Sequence, residues 1–271
     1  MTIINALSDW TMKTPQKFGV FHIIFLLLTI VSSVYLIVYH RNCSEKKMKQ
    51  IIFVSWIILV FFGICKILIM SNENGVLKYN WGAFPFQFCE SPLYVIPLLL
   101  IAKNKKIQHA LISFFATYIF FAGFAIMVYP DNMFSSRVLL SIRTMYQHGL
   151  QVVLGLFLFA WDRKNLNLKT FFSGIIVFFI FVTIAIIINT TIGKAVAPEY
   201  SVNMFFISKD YPTELMILKR IQPHVPWIIF LMLYIVSFTS LALGSFVVES
   251  GICQQLAKRQ LAKENEFKYN N

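Results

Sequence analysis

The chain of 271 residues is 58% hydrophobic and 13% charged, and phenylalanine alone contributes 28 residues. Soluble domains are about 45–50% apolar and about 25% charged, so a mean hydropathy of +0.68 excludes a soluble globular enzyme and a disordered protein. The 24 Lys and Arg outnumber the 12 Asp and Glu and give a formal charge of +12. In so apolar a chain this excess favours a membrane protein over a nucleic-acid-binding one, because Lys and Arg mark cytoplasmic loops and contact anionic headgroups.

Apolar stretches divide the chain into membrane spans. A helix needs about 20 apolar residues to cross the hydrocarbon, and seven stretches meet or approach that length: Phe18–Tyr39, Ile51–Met70, Phe86–Ala102, Ile107–Tyr129, Val138–Trp161, Phe171–Thr190 and Pro226–Val248. The third is the weakest, because Pro92 and Pro97 predict a kinked or broken helix. The sequence therefore predicts an all-α polytopic membrane protein, a seven-transmembrane-helix bundle in residues 1–250.

The connections predict the orientation of this bundle in the cell membrane. Lys and Arg are concentrated in the loops after the first, third and fifth spans and in residues 251–271, which predicts an outside N-terminus and a basic cytoplasmic tail. The first span lacks a small-residue cleavage site and therefore indicates a retained helix rather than a signal peptide. The short connection Lys103–Lys106 predicts a helical hairpin. The long segment Thr191–Val225 predicts a short interfacial helix at Pro212–Ile221, and the tail predicts a solvated helix that frays.

Ionisable residues within spans are the informative exceptions. Each costs about 2.5–3.5 kcal/mol at the middle of a helix and usually faces the bundle interior or a water-filled cavity. These exceptions are His22, Lys66, Glu90, Arg143 and His148. In the predicted topology all five lie in the outer half of the membrane, and the inner halves of the spans are nearly free of ionisable residues. This asymmetry predicts one polar cavity open to the outer leaflet.

The fifth span carries a polar stripe. Residues at offsets of three and four share one face of a helix, and this face holds Arg143, Thr144, Gln147, His148, Gln151 and Gly155. Thr144, Gln147 and Gln151 favour interhelical hydrogen bonds, and Gly155 favours close helix packing. Arg143 and His148 favour function, because charge at that depth is costly. As part of the cavity wall, Gln147 and Gln151 are also candidates for substrate binding, together with Lys66, Arg143, His22 and Glu90.

One of the four cysteines stands in an unusual setting. Cys43, Cys65, Cys89 and Cys253 show no paired spacing, which indicates neither a disulfide framework nor a zinc site. Cys65 is typical of a small buried residue. Cys89 lies near a predicted helix start, where the backbone dipole and the nearby cations favour a thiolate. With His148 as general base it would supply the minimum of a thiol nucleophile, and a structural cysteine with polar packing is the alternative.

Four short motifs in chain order resemble the YwaF family of bacterial integral membrane proteins. They are Phe18-Gly-Val-Phe-His22, Pro85-Phe-Gln-Phe-Cys89, Met145-Tyr-Gln-His148-Gly149 and Asn203-Met-Phe-Phe. That family is similar to an animal transmembrane acyltransferase that moves fatty acyl chains onto ether lysophospholipids through a cysteine. The resemblance implies that Cys89 accepts the acyl group, that His148 is its base, and that Arg143 and Asn203 support the substrate. The sequence departs from the family at Gln87, where the family motif has histidine.

Three functions stay open at this stage. The first is a Cys/His acyltransferase or lipid hydrolase acting on outer-leaflet phospholipid, with Arg143 or Lys66 on the phosphate. The second is a transporter that uses the same ionisable residues as a relay, and the third is a ligand-binding sensor without chemistry. No nucleotide-binding or metal-binding motif is present in the sequence, and we predict no cofactor, no metal and no nucleic-acid partner. Membrane phospholipid is the expected partner.

Overall fold

The computed structural model describes residues 3–73, 75–130 and 133–269. The chain is almost entirely helical. Its α-helices are α1 (Ile3–Asp9), α2 (Val20–His40), α3 (Glu45–Met70), α4 (Pro92–Ile101), α5 (Lys105–Phe114), α6 (Phe120–Val128), α7 (Val138–Asp162), α8 (Leu168–Thr190), α9 (Ile192–Val196), α10 (Leu218–Ile221) and α11 (Trp227–Tyr269). A π-helical segment, Phe115–Ile119, joins α5 to α6. Two short strands, β1 (Asn72–Glu73) and β2 (Val76–Leu77), form a small antiparallel hairpin after α3.

Five helical segments of the described residues are long and apolar enough to cross a membrane. They are Val20–His40, Glu45–Met70, Lys105–Val128, Leu168–Val196 and Trp227–Gln255, and they coincide with five of the seven predicted spans. The protein is therefore an all-α, multi-pass membrane protein. The seven-helix count, the orientation of the termini and the division at residue 250 remain predictions.

The other two predicted spans differ from these five for physical reasons. The third is a 3₁₀ turn, Phe88–Glu90, followed by α4, and the apolar segment Phe88–Ile101 is too short to cross about 30 Å of hydrocarbon as a straight helix. The fifth is α7, a continuous helix of 25 residues. Polar residues lower the hydropathy of α7, but most of the helix is buried, so its polar groups face protein.

Helix α7 occupies the centre of the bundle. It packs against α2, α3, α6 and the π-helical segment, while α5 packs against α8. Aromatic rings fill the space between the 3₁₀ turn before α4 and helices α8 and α11, where Phe88 contacts Phe178 and Phe238 at centroid distances of 5.9 and 5.1 Å. The predicted hairpin is confirmed, since α4 and α5 pack together on either side of residues 102–104.

The long segment between α8 and α11 departs from the prediction. Only Leu218–Ile221 and a following 3₁₀ turn, Gln222–His224, are helical in the region expected to form an interfacial helix from Pro212. Upstream, a 3₁₀ turn at Met204–Phe206 enters the bundle, and Met204 and Phe205 are fully buried. The tail continues α11 as helix through Tyr269. Its predicted solvated side chains beyond residue 255, and residues 270–271, lie outside what the structure describes.

Candidate functional site

A buried carboxylate before α4 binds two cations. Glu90 is 1% exposed, and its Oε1 accepts hydrogen bonds from Lys66 Nζ at 2.7 Å and from Arg143 Nη2 at 2.6 Å. Its Oε2 accepts a third bond, at 3.0 Å, from the backbone N–H of Gln87. We call Lys66, Glu90 and Arg143 the buried triad. Its members come from α3, the 3₁₀ turn and α7, and their formal charges sum to +1.

The backbone beside the triad is also held by α7. Gln147 Nε2 donates to the carbonyl oxygen of Cys89 at 2.6 Å, and Gln151 Nε2 donates to the same oxygen. These are the interhelical bonds expected from the glutamines of the polar stripe. A carbonyl with two donors is fully satisfied, so the 3₁₀ turn that carries Cys89 has one defined position against α7.

Three polar atoms next to these bonds lack a partner. Arg143 Nε, Gln147 Oε1 and Gln151 Oε1 are buried and form no hydrogen bond to any residue that the structure describes. Burying such an atom without a partner costs about 1–3 kcal/mol, and native proteins rarely leave it so unless a ligand group or a water can bind there. Each of these three atoms could therefore take a hydrogen-bond partner from a ligand or a water.

The ring of His148 has a defined tautomer. His148 is 5% exposed, and its Nδ1 lies 2.7 Å from the carbonyl oxygen of Thr144. Because a carbonyl oxygen only accepts, Nδ1 must carry the proton, and Nε2 of the neutral ring is left as the acceptor. That is the nitrogen a general base would use.

The two predicted catalytic residues lie near the same triad without being bonded to each other. The Cys89 thiol and the His148 ring are both within electrostatic range of Arg143 and Glu90. In the described part of the chain no hydrogen bond joins Cys89 Sγ to His148. The cations expected to favour the Cys89 thiolate are present, but both are bonded to Glu90. The thiol therefore lies beside a cluster of one net positive charge rather than beside two free cations.

Close packing between α6 and α7 depends on glycine. A Cβ at Gly155 would lie 2.6 Å from Phe120 Cβ, and one at Gly123 would lie 2.5 Å from Gln151 Cβ. The packing role predicted for Gly155 is thus confirmed. Gly123 was not singled out from the sequence, although it sets how closely α6 approaches the glutamine that holds the Cys89 carbonyl.

Gln87 and Asn203 hold the buried segment between α8 and α11. Gln87 Nε2 donates to the Asn203 carbonyl at 2.9 Å, and Gln87 Oε1 accepts from the Phe205 N–H at 3.0 Å. Asn203 bonds within its own segment, to the Pro212 carbonyl and the Ser208 N–H. Gln87, which stands where the family motif has histidine, therefore anchors this segment. Substrate binding by Asn203 remains a prediction, and its observed bonds are structural.

His22 lies apart from the triad. Its Nε2 is 2.8 Å from the Met127 carbonyl, and its Nδ1 accepts from the Phe18 N–H at 3.0 Å. Both ring nitrogens are thus engaged, and the ring is fully buried against Phe134 at 5.9 Å. The observed geometry connects α2 to α6, and a contribution of His22 to substrate binding remains a prediction.

Buried polar groups also occur where the sequence placed none. Glu249 on α11 is 4% exposed, and both of its carboxylate oxygens are buried without a hydrogen-bond partner among the described residues. Gln108 on α5 and Asp162 at the end of α7 are buried as well and are hydrogen-bonded, Asp162 to His109 at 2.6 Å. Buried polar groups therefore occur near both ends of the bundle, and the single cavity open to the outer leaflet stays a prediction. Glu249 was missed because it follows the predicted last residue of the seventh span, whereas α11 continues past it.

A groove lies on the other side of α7. Helices α2 and α3 both pack against α7 but hardly against each other. The space between them has a volume of about 730 Å³ and is lined on α7 by Met145, Gly149 and Val153. On a helix these positions lie roughly opposite Gln147 and Gln151, so α7 itself separates the groove from the Cys89 carbonyl.

Comparison with known proteins identifies the family of the chain. The family model described as the TMEM164 family matches residues 17–248. That match covers most of the chain, so the chain belongs to the TMEM164 family. No curated protein and no solved structure matches it. The resemblance to the bacterial YwaF family is not tested by this match and stays a prediction. Among the described residues, no group of three or more His, Cys, Asp and Glu could hold a metal ion.

Proposed function

Because the chain belongs to the TMEM164 family, we propose that the protein is a membrane-embedded lipid acyltransferase or lipid hydrolase with Cys89 as nucleophile. The observation that carries the proposal is the position of Cys89: its carbonyl is clamped by Gln147 and Gln151 beside a buried triad of net positive charge. The family is linked to ether-lipid acyl transfer, which is consistent with this chemistry in general. The substrate we propose is an outer-leaflet phospholipid of the cell membrane, in the predicted orientation.

The proposed reaction has two acyl transfers. The Cys89 thiol loses its proton to Nε2 of His148 while sulfur attacks the ester carbonyl, and the alcohol of the leaving lysophospholipid takes that proton as the ester C–O bond breaks. A thioester remains on Cys89. The hydroxyl of an acceptor lysophospholipid, or water in a hydrolase, then attacks the thioester with His148 as base, and the thiol is restored. Catalytic hydrogen bonds commonly tighten only when substrate binds, which is compatible with the observed separation of the two side chains.

The buried triad has a proposed electrostatic role in this reaction. Attack on the ester creates an oxyanion, and the substrate also carries a phosphate. A fixed excess of one positive charge in a water-poor site stabilises both more strongly than it would in water. Lys66 and Arg143 both keep unused N–H donors beside Glu90, but of these two residues only Arg143 has a buried donor atom, Nε, that forms no hydrogen bond at all within the described residues. We therefore assign the contact with the substrate anion to Arg143 before Lys66.

Transport is the less favoured function. It would need a polar path, and the structure does hold a buried carboxylate at each end of the bundle, Glu90 and Glu249. Phe238 contacts Phe88 beside the triad, however, and Phe246, three residues before Glu249, contacts Phe159 and Phe171. Eleven residues of helix from Phe238 to Glu249 span about 16 Å. Aromatic rings in edge-to-face and tilted contact fill this part of the core, and they favour an enzyme over a conduit.

Acyl exchange in purified protein tests the proposal. The proteoliposomes contain a phospholipid with a labelled acyl chain and an unlabelled lysophospholipid. The rate of acyl exchange is measured for the wild type, Cys89→Ser, His148→Asn and the matched cysteine control Cys65→Ser. We expect Cys89→Ser to abolish the acyl-enzyme in intact-protein mass spectrometry, and His148→Asn to lower the rate by at least about 100-fold. Cys65 is a buried cysteine on α3, and its variant should keep the activity of the wild type.

Two results would count against this function. Acyl exchange that persists in Cys89→Ser at the rate of Cys65→Ser would remove the nucleophile. Uptake of a solute by proteoliposomes that survives loss of Cys89 would instead support transport. Equal melting temperatures of the variants would show that lost exchange reflects chemistry rather than unfolding.

A further inference from the structure

A second cluster of cations lies at the end of the bundle where α2 and α7 finish. Arg41 follows the last residue of α2, and Arg163 and Lys164 follow the last residue of α7. They line a pocket of about 530 Å³ together with Asn42, Cys43, Trp161 and Asn165. We call this the cationic end pocket. It contains none of the residues of the Cys89 site.

The walls of the cationic end pocket are held by hydrogen bonds. Trp161 Nε1 donates to the Cys43 carbonyl at 2.9 Å, and Arg163 Nη2 donates to Asn42 Oδ1 at 3.1 Å. Arg163 Nη1 donates to the Ala160 carbonyl at 2.9 Å. The loop after α2 is thereby fixed against the end of α7. A guanidinium has five N–H donors, so three donors of Arg163 remain available to a ligand.

Carboxylates lie near this pocket but do not line it, since Glu249, like Arg41 and Arg163, is within electrostatic range of the Cys253 thiol. No Asp or Glu is among the residues that line it. The two nearest acidic residues in sequence are engaged elsewhere, Asp162 with His109 and Asn165, and Glu45 with Lys49 and Lys105. In the part of the chain that the structure describes, neither Arg41 nor Lys164 forms an ion pair.

The helix ends do not neutralise these cations. Each helix C-terminus carries about half a negative charge, so the ends of α2 and α7 together contribute about −1 against the three positive side chains. The attraction of cations to helix ends explains part of the arrangement. A positive excess still remains on the residues that line the pocket. Because α2 is one of the membrane-crossing segments, its end lies near the level of the headgroups.

We propose that the cationic end pocket binds the phosphate group of an anionic ligand, supplied either by the headgroup of an anionic phospholipid or by free phosphate. Basic pockets between transmembrane helices bind anionic headgroups at the membrane surface. The guanidinium of Arg163 offers donors that match phosphate oxygens, and Arg41 and Lys164 add charge from either side. This site is independent of Cys89 and of acyl transfer.

Native mass spectrometry of the purified full-length protein tests this proposal. The variant Arg41→Gln/Lys164→Gln removes two charges without removing any hydrogen bond of the described residues, and Lys46→Gln/Lys169→Gln is its control, since both of those lysines are exposed and outside the pocket. The probes are phosphatidylglycerol, phosphatidylcholine and inorganic phosphate. Each cation near an anionic surface strengthens binding about fivefold, so we expect the pocket variant to bind phosphatidylglycerol about 25-fold more weakly.

The outcomes separate the two sources of phosphate. Retention of phosphatidylglycerol but not phosphatidylcholine, lost in the pocket variant and kept in the control, supports a lipid headgroup. Binding of inorganic phosphate that depends on the same two residues, without lipid selectivity, supports free phosphate. Equal binding of every probe by the wild type and the pocket variant, or an equal loss in the control, would overturn the proposal. The variant Arg163→Lys adds a second test, because a lysine cannot replace the paired donors of arginine.

Discussion

The molecule contains two groups of cations that differ in what opposes them. Lys66 and Arg143 are 11% and 12% exposed and share the carboxylate of Glu90. Arg41, Arg163 and Lys164 line a pocket that contains no carboxylate. Burial makes an unpaired charge costly, so the first group exists only as part of a bonded triad. Near the membrane surface the same charges need no internal partner and can remain open to a ligand.

Removal of the shared carboxylate should give the largest effect. Glu90→Gln leaves two buried cations without compensation, and breaking a buried ion pair in this way costs about 3–5 kcal/mol. We expect a large fall in the melting temperature in detergent, measured by monitoring thermal unfolding with tryptophan fluorescence. The control is Glu214→Gln, which breaks an exposed pair with Lys219 and should change stability by at most about 1 kcal/mol. If both variants melt together, the triad does not stabilise the fold as described.

Loss of the two glutamine donors should have an intermediate effect. In Gln147→Leu/Gln151→Leu the Cys89 carbonyl loses both of its donors, and a buried unsatisfied carbonyl costs about 1–3 kcal/mol. Because the 3₁₀ turn then loses its fixed position, we expect acyl exchange to fall by more than stability alone explains. Both quantities would be measured on one preparation, with the exposed Gln50→Leu as control. Unchanged exchange would mean that the clamp does not position Cys89.

Neutralising the open cluster should have the smallest effect on stability. Arg41→Gln/Lys164→Gln removes no bond of the described residues, so in lipid-free detergent we expect a change within about 0.5 kcal/mol. The loss of stability is measured by thermal unfolding and compared with that of Lys66→Gln. The Lys66→Gln variant should lose more, since it removes a 2.7 Å bond to a buried carboxylate. A loss as large as that of Lys66→Gln would show that the pocket cations stabilise the fold rather than await a ligand.

The membrane class and five of the spans could be predicted because they depend on local composition. A run of about 20 apolar residues has few alternatives to a membrane helix. The third span was harder, since Pro92 and Pro97 indicate a break but not its outcome, which is a 3₁₀ turn followed by a helix of ten residues. The seventh span was predicted to end at Val248 because hydropathy falls there, and so the burial of Glu249 on the continuing helix α11 was not predicted.

Within the site, the sequence predicts which residues are important better than it predicts which residues they contact. Cost of burial alone selected Lys66, Glu90 and Arg143, and the structure brings these three together. The same criterion also selected His22, which is bonded between α2 and α6. Gln87 could not be interpreted from the motif, because its partners at Asn203 and Phe205 are more than 100 residues away in sequence.

Sequence by itself determined that this chain is an apolar, helical membrane protein in which ionisable residues within the spans are costly and therefore mark candidate site residues. The physical reason is that hydrocarbon forces every backbone group into a helix and makes each unpaired charge costly. Only the tertiary structure decided which cation meets which carboxylate, that α7 rather than a loop holds the Cys89 carbonyl, and that a second set of cations remains open where α2 and α7 end. These depend on distances between helices, and no local pattern in the chain encodes such distances.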